Sequence, residues 1–344
     1  MKFRNAFFLL GPLVFVAFGF YTKHQDLGED ILLRAINVNL QNAHYDPIAI
    51  DDAFSEKAFQ LYIDNLDANK RLFLQSDIDE LNYFRTTIDD EIINGTSVFF
   101  DKSLDIINQR TVLTEQYFEE ILNQPMDFSN EEIVDFGDEI PYTKSEEELK
   151  DRWRKYLKYS VLTRLHADLL AQEKSIENKD TSFTPKSLDT LQEIARRSVL
   201  KTHRDWYKRI NRLDRKDRLA VYANSITTVY DPHTNYFPPE QKEDFDIQMS
   251  GRLEGIGAQL QEKDGYIKIT NIIPGGPSSL QGELQANDLI LKVAQEGKEP
   301  VEIIDWRISD AVKIIRGPKG SKVTLSVRKP DGNEKDITIT RDIV

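Results

Sequence analysis

Near Asp231 the repeat of apolar residues changes from about 3.6 to about 2, and one class of secondary structure cannot serve both halves. Upstream, from Asp26 to Tyr230, apolar side chains recur at three- and four-residue spacing. Ile78, Leu81, Phe84, Ile88 and Ile92 make one stripe, and Leu149, Trp153, Tyr156, Leu157, Val161 and Leu165 make another. Charged residues flank both, the pattern of surface helices in a bundle. Start signals punctuate the region. Asp26 with Glu29, Ser76 with Asp79, Ser129 with Glu132 and Ser145 with Glu148 have capping-box spacing, and Thr184 before Pro185 predicts an N-cap and a first-turn proline. Asn94-Gly95 and Pro125 predict stops, and the polar stretch Glu173 to Ser182 predicts a loop.

Downstream, alternation in 265–273, 322–328 and 335–340 predicts strands. Turns are expected at Pro274-Gly-Gly-Pro277 and Gly317-Pro-Lys-Gly320, a hairpin at Pro330-Asp-Gly332, and a short helix over Ser309 to Arg316. With 344 residues the chain exceeds one ordinary domain. The expected fold class is therefore multidomain, an all-α N-terminal helical domain followed by an α+β domain. The divisions read as a leader over 1–22, the helical domain over 23–230, a linker over 231–248 and the α+β domain over 249–344.

The leader follows from Lys2 and Arg4 ahead of an uncharged run from Ala6 to Phe20, closed by small residues around Ala17 and Gly19. That run falls short of the roughly 20 residues a spanning helix needs, which favours a cleaved export signal over an anchor. Export is the working expectation, with membrane contact only through the leader. Lys+Arg 45 against Asp+Glu 58 gives a net charge of -13, which argues against a nucleic-acid partner. The basic helix around Arg196 to Arg218, interleaved with Trp206 and Tyr207, reads as a solvated face because Asp205, Asp214 and Asp217 interrupt it. With Cys 0 there is no disulfide framework, thiolate metal cluster or cysteine nucleophile.

Local catalytic signatures are absent. His24, His44, His166, His203 and His233 form no metal-binding pair, no G-x-S-x-G elbow occurs, and Gly317 to Lys322 lacks phosphate-loop spacing. No cofactor or metal is expected. One cluster stands out, Gly251-Arg-Leu-Glu-Gly-Ile-Gly-Ala258, just before a strand through Gln259, Leu260 and Gln261. Glycines there let successive N–H groups turn inward as a nest for a carboxylate, and a free strand edge beside it would accept an extended peptide. A glycine-rich bulge that only turns the chain fits the same residues equally well.

DPHTNYFPP at Asp231 to Pro239, LEGIGAQL at Leu253 to Leu260, IIPGGPSSLQGELQANDLILKV at Ile272 to Val293 and IDWRISDAVKIIRGPKGSKVTL at Ile304 to Leu325 together resemble the tail-specific (carboxyl-terminal processing) serine proteases. The long Prc-type branch, with a helical domain before its PDZ domain, is the nearer likeness. The resemblance implies that 249–344 is a PDZ domain and that the chain is the recognition and regulatory part of a periplasmic, Gram-negative envelope protease. Its partners would be the C-termini of substrate proteins, with a possible adaptor lipoprotein on the helical region. Carried over, the carboxylate loop falls on Leu253, Gly255, Ile256, Gly257 and Ala258, and the helix near Ser309 supplies Val312 and Ile315 to the terminal side chain. Asn287-Asp288 and Ser278-Ser279 depart from the family's usual residues, outside that loop. The Asp231-Pro-His-Thr234 run reads as a turn, and His233 is not assigned as a base. The family's Ser/Lys dyad belongs to a core after the PDZ domain, so no catalytic residue is expected in these positions and the chain is expected to bind and not cut. The alternative is a noncatalytic PDZ-containing envelope scaffold.

Overall fold

The computed structural model describes residues 28–136, 140–179, 182–251 and 253–344. The expected leader over 1–22 and the expected cap Asp26 lie outside the described residues. Among the described residues, eight α-helices form the first domain: α1 (Glu29–Ala43), α2 (Asp52–Asp67), α3 (Gln75–Leu81), α4 (Ile88–Asn94), α5 (Val98–Leu122), α6 (Glu146–Glu177), α7 (Leu188–Ile210) and α8 (Arg215–Tyr230). The first apolar stripe is divided among α3, a 3-10 turn over Asn82–Phe84 and α4, yet Ile78, Leu81, Ile88 and Ile92 all face one core. The second stripe lies on α6, burying Leu149, Trp153, Leu157, Val161 and Leu165.

Local polar chemistry sets the ends. Ser145 caps α6, its Oγ accepting the Glu148 N–H at 3.2 Å, and Glu148 accepts the Lys144 N–H at 2.8 Å. Gly95 ends α4 in the left-handed region at φ 69, where a missing Cβ removes the steric cost. Three expected starts are displaced. At Ser76 and Asp79, α3 has already begun at Gln75, and it is Asp77 that accepts the Leu74 N–H at 2.8 Å. Ser129 and Glu132 start no helix, because Asp127 captures the Ser129 N–H at 2.8 Å and Arg154 and Lys158 hold Glu132. Beyond Thr184-Pro185 the chain stays extended until Ser187, whose Oγ accepts the Thr190 N–H at 3.3 Å and starts α7. The stretch expected as a loop from Glu173 is helical to Glu177, since α6 continues there.

Two packed layers share α5. Its first half joins α1, α2, α4 and α8 around Tyr62, Phe99, Phe100 and Tyr222, with Phe100 and Tyr222 stacked at 5.6 Å. Its second half joins α6 and α7 around Phe118, Trp153 and Tyr207. Aromatic faces and edges of this kind contribute about 0.5–1.5 kcal/mol beyond their buried area.

The change of period is not immediate at Asp231. Residues 231–238 are irregular, with the Asp231 carboxylate accepting the His233 N–H at 2.6 Å, and Pro239–Ser250 forms α9. Pro239 starts that helix and Gly251, at φ 65, ends it, so part of the expected linker is helical. Then come β1 (Glu254–Gly255), β2 (Ala258–Lys263), β3 (Tyr266–Ile272), α10 (Pro277–Gln281), β4 (Leu289–Gln295), β5 (Val301–Glu302), α11 (Ile308–Ile315), β6 (Lys322–Arg328), β7 (Glu334–Thr340) and β8 (Asp342–Ile343). The sheet runs β2-β3-β4-β6-β7, all antiparallel, with β5 paired to β4 and β1 paired separately to β8. Alternation is plain in β6, where Val323, Leu325 and Val327 are fully buried. The hairpin turns at Gly332, φ 89. Because β2 lies at the end of that order, one of its edges has no strand partner among the described residues.

The two domains touch through charged groups. Arg307, the residue before α11, reaches Asp217 at 2.5 Å and Asp214 at 3.5 Å on α8. Arg212 pairs with Glu262 on β2 and donates to the Asp305 carbonyl at 3.2 Å. The basic α7–α8 face is thus largely spent on ion pairs, among them Arg204 with Glu119 and Arg215 with Glu29 and Asp101.

Candidate functional site

The glycine cluster folds in two steps. Gly251 closes α9, and β1 then pairs with β8, the Val344 N–H adding a bond to the Leu253 carbonyl at 2.7 Å. The Ile256 side chain is 4% exposed and packs into the core of the sheet, which pins the loop while leaving its backbone at the surface of a groove.

Carbonyl bonds orient the loop. Ser278 holds the Ile256 carbonyl twice, through its N–H at 2.8 Å and its Oγ at 2.5 Å. The Gly257 carbonyl accepts the Ile273 N–H at 2.9 Å. A trans peptide points its N–H opposite to its carbonyl, so the N–H groups of Gly257 and Ala258 are turned away from Ser278 and β3. Among the described residues, the Ile256 and Gly257 N–H groups have no backbone acceptor. Gly257 takes φ 69, and a Cβ there would lie 3.0 Å from Pro277 Cδ and 3.2 Å from Gly276 Cα. No other residue type fits without displacement.

A groove of about 450 Å³ opens between this loop, the unpaired edge of β2 and α11. It is lined by Leu253, Gly255, Ile256, Gly257 and Ala258 from the loop and by Val312 and Ile315 from α11, so all seven residues singled out from the sequence come together. They are not equivalent. Ile315, 2% exposed, forms part of the core beneath the groove, whereas Val312 is half-buried at its wall. Gln259 and Leu260 of β2 line the groove too, as do three further residues that the sequence did not single out, Thr270, Ile308 and Arg316. Ile308 stands four residues before Val312, a helical spacing that signals it; Arg316 follows the helix and carries no periodic signal. Its Cγ lies 3.7 Å from where a Gly255 Cβ would stand.

Among the described residues the groove offers backbone donors, apolar walls and the Arg316 side chain. Among the described residues no group of three or more His, Asp or Glu side chains is placed to hold a metal. No helix of the described residues is long and apolar enough to cross a membrane.

The chain matches the family described as "Tail specific protease N-terminal domain" over residues 36–240 and the PDZ domain family over 244–328. It is 30% identical over 315 residues to the tail-specific protease of Haemophilus influenzae, covering 90% of this chain and 42% of that protein. It is 38% identical over 140 residues to the carboxy-terminal processing protease CtpA of Bacillus subtilis, covering 41% of this chain and 28% of that one. The chain therefore spans less than half the length of these curated relatives. Among solved structures, a PDZ domain of a carboxy-terminal protease from Vibrio cholerae, in complex with peptide, is 44% identical, with 27% of this chain and 97% of that one covered and a TM-score of 0.26. A helical domain and a PDZ domain in this order, each matched by its own family, place the chain in the tail-specific (carboxyl-terminal processing) protease family.

Proposed function

We propose that the groove between β2 and α11 receives the C-terminal residues of another polypeptide as an added strand, its carboxylate held by the Ile256, Gly257 and Ala258 amides. On this reading the chain contributes the recognition part of a tail-specific protease working in the periplasm. One observation carries it: beside the edge of β2 that has no strand partner among the described residues, the Ile256 and Gly257 carbonyls are tied to Ser278 and Ile273, which turns the following N–H groups to the opposite side. Strand addition satisfies the edge, and an anion satisfies converging amides. Apolar walls at Ile308 and Val312 suit an apolar terminal side chain.

Titration calorimetry with a peptide ending in apolar residues tests this directly. The free-acid peptide is expected to bind about tenfold or more tightly than its C-terminal amide, the scale of a charge-assisted hydrogen bond. Equal affinities would refute the amide cradle. Export rests on Lys2, Arg4 and the apolar run that follows them. Residues 1–28 fused to a reporter enzyme active only outside the cytoplasm are expected to give activity; an inactive, intact fusion would remove the periplasmic assignment.

A further inference from the structure

A second cavity, of about 500 Å³, lies in the helical domain between the chain after α2 and helices α5, α6, α7 and α8. That volume falls within the ordinary range of small-molecule sites, about 300–1,000 Å³. Its walls combine the rings of Trp153, Tyr156, Trp206 and Tyr207 with the guanidinium groups of Arg71 and Arg218 and, at the rim, Arg209.

The guanidinium groups lack acceptors. Arg71 lies flat on Tyr156, its Cζ 3.5 Å from the ring centroid, and its Nη1 is buried without a hydrogen-bond partner. A buried donor on a charged group, left unmet, carries a substantial desolvation cost. The Arg218 side chain is half-buried and makes no hydrogen bond or ion pair among the described residues; desolvation lowers its pKa, against the opposing pull of Tyr62 and Asp217. Two carboxylates act on them through space without bonding to either guanidinium, Asp67 on Arg71 and Asp217 on Arg218. Asp67 faces the same cavity, but its oxygens already accept the N–H groups of Arg71, Leu72 and Phe73 at 2.7, 2.9 and 2.9 Å. His203 donates from Nδ1 to the Val199 carbonyl at 2.9 Å, and burial lowers its pKa, so the ring adds no charge near neutral pH. Arg209 adds a third cation, exposed at the wall. The lining therefore carries more positive than negative charge.

We propose that this cavity binds a small carboxylate on a planar apolar body, the carboxylate meeting Arg71 and Arg218 and the body lying among the aromatic rings. A guanidinium fork matches a carboxylate in plane, and aromatic walls bury a flat apolar group with little loss of conformational freedom. Neither the groove on the PDZ domain nor the reading of it enters this argument.

Benzoate is the probe, followed by tryptophan emission in a full-length Trp306→Phe chain, whose remaining tryptophans, Trp153 and Trp206, both line the cavity. A saturable change with benzoate is expected, with benzyl alcohol, similar in size and uncharged, about tenfold weaker or more. Arg218→Gln is expected to weaken benzoate to a similar degree while the thermal unfolding transition persists. No saturable response, equal responses to acid and alcohol, or undiminished affinity in a folded Arg218→Gln chain would overturn the proposal. If Arg218→Gln fails to fold, the comparison of acid and alcohol on the unaltered cavity decides alone.

Discussion

Gly257 shows how one residue joins fold to function. Its φ of 69 and its approach to Pro277 both require the missing Cβ. Gly257→Ala is expected to cost about 1–2 kcal/mol of stability from the backbone alone, measured by chemical denaturation, and to lose peptide affinity. A variant of unchanged stability and affinity would contradict the geometry. Elsewhere, buried carboxylates set a pH response. Burial pushes Glu91 up to about 7 and Asp67 up to about 6, so the folded chain holds protons there that the unfolded chain releases. Their contribution is full below about pH 4 and is lost as pH rises through 6 to 7. His203, lowered by burial, acts in the opposite sense, so the difference between two chains is the clean readout. Glu91→Gln is expected to flatten the fall in melting temperature between pH 5 and 8; parallel curves would show that Glu91 is ionised throughout. The glycine spacing made Gly255 and Gly257 legible in the sequence. Glu91 was not, because its burial comes from α1 and α2 packing against α4, with the Phe99 N–H at the start of α5 closing over its carboxylate, and nothing in neighbouring residues announces that.

At the scale of elements, α11 gives two residues of like type different duties. Ile315 is core and Val312 is wall. Ile315→Ala is expected to lose about 2–5 kcal/mol of stability. Val312→Ala is expected to weaken peptide binding with much less loss of stability, checked by melting and calorimetry on the same samples. Equal destabilisation of both would mean that the groove is closed. The short helix itself was readable from its apolar spacing, as were β3, β6, β7 and the hairpin at Gly332. Helix starts were readable only where a cap residue had no competitor. Ser145 caps α6, but Ser129 lost its N–H to Asp127, and Pro185 was overruled by Ser187 two residues on. Helix α9 was missed because Pro239–Ser250 is largely polar, leaving no clear stripe to detect.

Across the whole molecule, the peptide groove and the helical domain share supports. Arg307 stands at the start of α11 and Glu262 on β2, the two walls of the groove, and both pair with residues of the α7–α8 region, Asp217 and Arg212. Partly exposed pairs contribute only about 0.2–1 kcal/mol each, so a few of them hold orientation without locking it. Arg307→Gln combined with Glu262→Gln is expected to let the domains tumble with separate rotational correlation times in relaxation measurements, while the unaltered chain tumbles as one body. A single common value in the double variant would show that other contacts fix the arrangement. None of these pairs could be read from the sequence, since each joins residues tens of positions apart. The amide cradle itself is tested most directly by backbone resonances. Adding a peptide with an apolar C-terminus and a free carboxylate is predicted to move the Ile256, Gly257 and Ala258 amide protons downfield, together with shifts along β2. Binding that leaves those three amides unmoved, with the shifts confined to other surfaces, would contradict the account.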